Sequence, residues 1–101
     1  MANTPKRLHR GNSTTTQTVV YTVPSATTTI VTNIVISNSS TSANTVLIRL
    51  GGTTIVPNTA IPGNGIFTLD VTQVLDAGNT IDVQASSTTL GIHISGVEVT
   101  A

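Results

Sequence analysis

Basic side chains cluster near the start of the chain. Lys6, Arg7 and Arg10 are three of its four lysine and arginine residues, and Leu8 and His9 lie between them. Cationic side chains bind acidic surfaces by charge complementarity. The cluster therefore predicts an attachment site for an acidic partner, and the alternative reading is a disordered, solubilising tail.

Arg49 is the remaining basic residue, and it lies within an apolar stretch of the chain. A charged group among apolar neighbours needs a partner of opposite charge. Two interpretations stay open at this point. Arg49 forms either a surface ion pair with one of the acidic residues of the same chain or an ion pair at a subunit interface.

Catalysis and metal binding need titratable groups that converge on one point, and this chain has few. It holds four carboxylates, two histidines and no cysteine. The acids show no calcium-loop spacing, and no serine has the context of an activated nucleophile. His93 alternates with Ile92 and Ile94, which predicts a partly exposed structural histidine. We predict a protein that is not an enzyme, with no catalytic residue, no metal and no cofactor.

The elements that carry these residues are predicted to be strands. The chain is rich in threonine, valine and isoleucine, whose branched side chains favour β-structure. Apolar residues alternate with polar ones in short segments separated by glycine, proline and serine. We expect an all-β fold: residues 16–101 form one β-sandwich or jelly-roll-like domain of seven or eight short antiparallel strands, and residues 1–15 form an extended basic N-terminal arm.

Within that domain, four local predictions follow from the pattern. The segment 27–37 is a central strand, and Gly51 with Gly52 makes a two-residue hairpin turn. Residues 72–80 are the one segment in which a single helical turn fits. Phe67 is the candidate for the centre of the core, and a change of apolar phase along the last strand predicts a β-bulge at Gly96.

Charge and hydropathy exclude two classes of partner. The net charge is zero, and the basic segment is short and lacks aromatic residues, so no nucleic-acid partner is expected. No apolar run approaches the ~18 residues of a membrane span, and the first 30 residues lack the apolar region of a signal peptide. We therefore expect no membrane partner and synthesis in the cytosol. With only two aromatic residues for a core, association between copies is expected to add buried surface.

Four segments of the chain carry a resemblance to a known group of proteins. They are TVVYTVPSATTTIVTNIVISNSS, TVLIRLGGT, GIFTLDVTQVLDAGNTIDVQAS and GIHISGVEVT. Residues 16–101 resemble small β-sandwich structural proteins of tailed bacteriophage virions, some similar to capsid decoration proteins and others to tail or fibre modules. The shared motifs concern the fold and transfer no functional residue.

The resemblance implies a capsid decoration (cement) protein. Such a protein would be a homotrimer on the outer surface of the head that binds the major capsid protein, with the basic arm as its anchor. The alternative is a tail, baseplate or head-fibre module that binds host carbohydrate, for which an exposed aromatic platform would be expected. A phage-encoded enzyme is the third interpretation, and the absence of a catalytic motif disfavours it.

Overall fold

Eight β-strands form the computed structural model, which describes residues 2–100. They are β1 (Ala2–Asn12), β2 (Thr18–Thr22), β3 (Thr27–Asn38), β4 (Asn44–Leu50), β5 (Thr53–Ile61), β6 (Ile66–Leu75), β7 (Thr80–Ala85) and β8 (Leu90–Thr100). Sheet A has the order β1-β8-β3-β6 and sheet B the order β2-β7-β4-β5. Every paired set of strands is antiparallel. The predicted all-β sandwich is confirmed.

The chain pairs its strands as one long, folded hairpin. β1 pairs with β8, β2 with β7, β3 with β6 and β4 with β5, and successive pairs alternate between the two sheets. β3 also pairs with β8 and β4 with β7, which joins these pairs side by side. Residues distant in the sequence thereby become neighbours, and Ala2 lies opposite Thr100.

Branched aliphatic side chains fill the space between the sheets. Successive side chains of a strand point to opposite faces, so a strand that covers a core is apolar at every second position. The largest fully buried side chains are Ile34, Ile36, Ile48, Ile61, Ile81, Leu90, Ile92, Ile94, Val23, Val31, Val46 and Val83. Most of them lie on the four central strands, β3, β8, β4 and β7.

The prediction that Phe67 marks the centre of the core is wrong. Phe67 is half-buried and packs against the margin of the core. It lies on β6, which is the last strand of sheet A, and an edge strand covers only one side of the core. Isoleucines of the central strands occupy the centre instead.

The two-glycine turn between β4 and β5 is confirmed. Gly51 and Gly52 have φ angles of +61° and +83°, and two consecutive positive values are those of the type I′ turn, whose twist matches that of a hairpin. The turn places Leu50 opposite Thr53. Glycine is needed at both positions because a side chain disfavours positive φ.

The helical turn predicted within residues 72–80 is wrong. Strand β6 continues to Leu75, and a tight turn follows it. The Asp76 backbone N–H donates to Asn79 Oδ1 at 2.8 Å, and Gly78 has a φ of +87°. The Asn79 backbone N–H also donates to the Asp76 carbonyl at 3.0 Å, so the backbone and the side chain of Asn79 close this reversal together.

The predicted separate arm also needs correction. Residues 2–12 are extended, but they pair with β8 from Ala2 opposite Thr100 to Asn12 opposite Gly91. Leu8 is only 5% exposed and belongs to the core cluster. Residues 2–12 are therefore one of the two edge strands of sheet A. An edge strand resembles a tail in sequence because charged residues and proline are the usual protection of an open edge.

The predicted bulge at Gly96 lies on the neighbouring strands instead. β8 keeps a single phase, with Ile94, Gly96 and Glu98 all facing inward in the buried pattern of the strand. Register shifts occur in β1 between Arg7 and His9 and in β3 between Val31 and Asn33. The shift in β1 falls between the partners Ser95 and Ile94, and the shift in β3 falls between Gly96 and Ser95, so two bulged strands flank a regular one.

Candidate interaction surface

The pleat and the bulge of β1 direct the side chains of its basic segment, residues 6–10, to different faces of the sheet. Lys6, Arg7 and Arg10 are exposed, whereas Leu8 is buried and His9 is half-buried. In an ordinary strand residues alternate between faces, but a bulge places two successive residues against one partner residue. The structure therefore separates the five residues of the predicted binding segment, and Leu8 is a core residue that is not available to a partner.

Lys6 helps to fix β1 to the sandwich. Its Nζ lies 3.3 Å from Glu98 Oε1 on β8. Glu98 Oε2 accepts a hydrogen bond from the Tyr21 hydroxyl at 2.5 Å, and Thr29 Oγ1 lies 2.8 Å from the same hydroxyl. Burial, together with the hydrogen bond to Glu98, raises the pKa of Tyr21 to about 12. This polar cluster links strands of both sheets, so one of the three cations has a structural partner.

Arg10 and the two histidines form a second group, which we call the basic corner. Arg10 lies opposite His93 in the ladder, and both are exposed. His9 Nε2 is buried and has no hydrogen-bond partner among residues 2–100. Burial lowers the pKa of His9, and the charge of the nearby His93 lowers it further. The basic corner is cationic at neutral pH through Arg10, whose guanidinium keeps its proton in proteins.

A charged row crosses the outer face of sheet A, and we call it the polar row. From β1 to β6 its members are Arg7, Ser95, Asn33 and Asp70. Asn33 Nδ2 donates to Asp70 Oδ1 at 3.0 Å. The row is positive at one side of the sheet and negative at the other.

An apolar row lies next to the polar row on the same face. From β1 to β6 its members are Pro5, Val97, Ile30 and Val74. Val74 is 60% exposed, and Val99 extends the apolar area along β8. A shallow depression of about 440 Å³ opens here, lined by residues of both rows and by Lys6, Thr32 and Gly96. Large exposed apolar patches of soluble proteins are often interaction sites, so this face is a candidate interaction surface.

Arg49 lies on the outer face of sheet B. Its register partners are Asp82 on β7 and Thr54 on β5. The only ion pair within 4 Å that the described residues form is that of Lys6 with Glu98, so Arg49 is opposite an acid without a close contact. Asp82 accepts a hydrogen bond from Gln17 Nε2 at 2.7 Å. Both interpretations of Arg49, a surface pair and a subunit interface, stay predictions.

Asn38 is a structural residue that sequence reasoning missed. It is 2% exposed, and its Nδ2 donates to the carbonyls of Ser42, Ile61 and Pro62 at 2.9, 3.0 and 3.2 Å. Its Oδ1 accepts from the Ser40 N–H at 3.0 Å. Asn38 thereby holds two loops together at one end of the sandwich. Nothing in a serine- and asparagine-rich loop distinguishes the one amide that becomes buried.

Within residues 2–100, no three histidine, aspartate or glutamate side chains lie close enough together to hold a metal ion. In the same range, no helix is long and apolar enough to cross a membrane.

Comparisons with known proteins give little. No family model and no curated protein matches the sequence. Among solved structures, a pentameric capsid protein isolated from metagenomic phage sequences is similar to 90% of this chain, with 18% identity and a TM-score of 0.36. The chain spans 60% of the length of that protein. At this TM-score the likeness identifies neither the function nor the partners of the chain.

Proposed function

We propose that this chain is a structural protein of a phage virion, a capsid decoration protein that binds the outer surface of the head. The residue patterns of segments 16–101 support this, as does the strand arrangement. Eight strands that pair as a folded hairpin across two sheets favour a jelly roll, an architecture that many viral capsid domains use. The function would be to link neighbouring capsid subunits and so stabilise the assembled shell.

One observation carries the attachment mode: the edge strand β1 presents the basic corner. β1 pairs only with β8 within the described chain, so its other edge leaves backbone N–H and C=O groups open to a partner. Arg10 and His93 are exposed beside that edge. A segment of the major capsid protein with acidic side chains would satisfy both features, through main-chain hydrogen bonds and charge complementarity.

Binding across a junction of capsid subunits would stabilise the shell by mass action. A protein that binds only the assembled state lowers the free energy of that state and so favours it over the dissociated subunits. Where one decoration protein contacts two subunits, the second contact forms at a high effective concentration. Modest individual contacts would then resist the internal pressure of packaged DNA.

The test is binding to expanded heads that lack this protein, measured by co-sedimentation. Arg10→Glu is expected to weaken binding by about tenfold or more, because a charge reversal places like charges together, and added salt should reduce the difference. The control, Thr54→Glu with Asn58→Glu, changes the net charge by the same amount on β5 of the opposite sheet, where both residues are exposed. Equal binding by the wild type and Arg10→Glu would refute the proposed attachment.

Deletion of residues 1–12 is a poor test of this proposal. The deletion would remove Leu8 from the core and the neighbour that covers one edge of β8. Loss of binding would then report unfolding as much as loss of the contact. The single substitution at exposed Arg10 leaves the core and the ladder in place.

A further inference from the structure

The outer face of sheet A carries two rows whose chemistry makes the face complementary to itself. The apolar row provides surface that a monomer leaves in water, with Val74 60% exposed. The polar row beside it begins with Arg7 on β1 and ends with Asp70 on β6. We propose that two copies of this chain pack through this face, with a two-fold axis parallel to the strands.

The symmetry follows from the strand order. A two-fold axis that lies between two stacked sheets and runs along the strands exchanges left and right but keeps the level along each strand. With the axis between β8 and β3, β1 of one copy lies over β6 of the other. Arg7 then faces Asp70 of the second copy, and Asp70 faces Arg7 of that copy, which forms two identical ion pairs.

The same operation brings the apolar rows together. Val97 lies over Ile30 of the second copy and Pro5 over its Val74, each contact occurring twice. Stacked sheets pack about 10 Å apart with interdigitated side chains, a gap that valine and isoleucine fill and that an arginine can span. An isologous interface with an apolar centre and charged pairs at its side has the anatomy of a stable homodimer.

A different axis would lose the charge match. A two-fold axis perpendicular to the strands would lay β1 on β1 and β6 on β6, so Arg7 would never meet Asp70. The charges therefore select the axis as well as the partner. Arg10 and His93 lie on the same face, one ladder step beyond Arg7 and Ser95, so the basic corner lies at the margin of the contact and further from its apolar centre than the polar row.

The experiment is sedimentation equilibrium of the full chain over a wide concentration range. The wild type is expected to be a dimer, with Arg7→Asp and Asp70→Arg each raising the dissociation constant about tenfold or more. The double variant restores the ion pairs in the opposite sense and should recover the affinity. Asp76→Arg, an equal charge change in the exposed turn after β6, should leave the affinity unchanged.

A second variant tests the apolar row without relying on charge. Val74→Gln should also weaken the dimer while leaving the monomer folded, because most of this side chain is already in water. A monomer at every concentration would overturn the proposal. A trimer, the state that the resemblance to decoration proteins implied, would also overturn it. So would a dimer whose dissociation constant is the same for the wild type, Arg7→Asp and Asp70→Arg. None of these outcomes depends on binding to heads, so the dimer and the proposed capsid attachment can fail separately.

Discussion

At the scale of single residues, the burial of the Tyr21 hydroxyl and its hydrogen bond to Glu98 make the stability of the sandwich depend on pH. Tyr21 is the chain's one tyrosine, and its hydroxyl donates to Glu98 Oε2 at 2.5 Å. Ionisation would place a phenolate against a carboxylate in a partly buried site, which opposes loss of the proton. The pKa of Tyr21 is accordingly raised to about 12, with burial as the larger cause and the Glu98 hydrogen bond next.

The first prediction is an alkaline loss of stability. In the unfolded chain Tyr21 ionises near pH 10, but in the folded chain it keeps its proton to about pH 12. Its contribution to the free energy of unfolding is therefore complete below pH 10 and is lost as the pH rises from 10 to 12. Urea unfolding between pH 8 and 12 should show this decline, and Tyr21→Phe should remove the part that Tyr21 causes.

Ultraviolet absorbance gives a direct check, because only Tyr21 contributes a phenolate signal. The folded protein should titrate well above pH 10. Glu98→Gln should lower the midpoint while leaving it above 10, since burial remains after the charge is gone. A wild-type midpoint at 10, measured while the protein is still folded by circular dichroism, would show that the hydroxyl is exposed to solvent and not bound to Glu98.

Individual residues were predictable where the local chain alone decides their role. The Gly51 and Gly52 turn followed from the need for positive φ, and the exposure of His93 followed from alternation with Ile92 and Ile94. The inward position of Glu98 was not predictable. A glutamate between valines looks like the exposed member of an alternating strand, and only the distant Tyr21 and Lys6 make its burial favourable.

At the scale of elements, β8 is a straight strand held between two bulged ones. A Cβ added at Gly96 would lie 2.3 Å from the Ile30 carbonyl oxygen and 2.8 Å from Leu8 Cδ1. The first is a backbone atom that cannot rotate away, and the second belongs to a core side chain. Glycine at this position allows both neighbouring strands to approach β8 at the level of their bulges.

The second prediction is that Gly96→Ala destabilises the fold by about 1–3 kcal/mol through overpacking. Gly91→Ala is the matched control in the same strand. There an added Cβ meets only Ser37 Oγ at 3.0 Å, a side-chain atom that can turn away, so the change should be close to neutral. Urea unfolding of both variants measures the difference, and equal stabilities would mean that β1 and β3 do not close on β8 at Gly96.

The sequence predicted the type of most elements but not their partners. Period-2 alternation identifies the central strand β3 and the buried face of β8, because each has a run of apolar residues that only one period fits. Alternation cannot distinguish a basic tail from the strand β1, because β1 is held as a strand by its pairing with β8, some ninety residues further along the chain. The apparent change of apolar phase at Gly96 has a different cause. Val97 and Val99 lie on the outer face of sheet A, and that face is itself partly apolar.

At the scale of the whole molecule, the folded hairpin brings the two ends of the chain together. Ala2 lies opposite Thr100, and Cα atoms of opposite residues in an antiparallel ladder are about 5 Å apart. Most ladders of this fold join strands that are distant in the sequence, as β1 with β8 and β2 with β7. Folds dominated by such pairings carry a high cost of loop closure and fold slowly. The hairpin of β4 and β5 is the local exception.

The last prediction is that a circular permutant retains this fold. A short glycine and serine linker of about four residues would join the ends across the gap that an antiparallel ladder sets, and the chain would open between Gly51 and Gly52. Both glycines are exposed at a turn, and exposed turns are where permutation is tolerated. The β1–β8 ladder becomes a local hairpin, while the pairing of β4 with β5 becomes the long-range one. The raised pKa of Tyr21 then serves as the reporter that β2, β3 and β8 have assembled natively.

A second permutant, opened between Thr32 and Asn33 in the central strand β3, should not fold. If the first permutant failed and the second succeeded, the pairing of β1 with β8 and the central position of β3 would both be refuted.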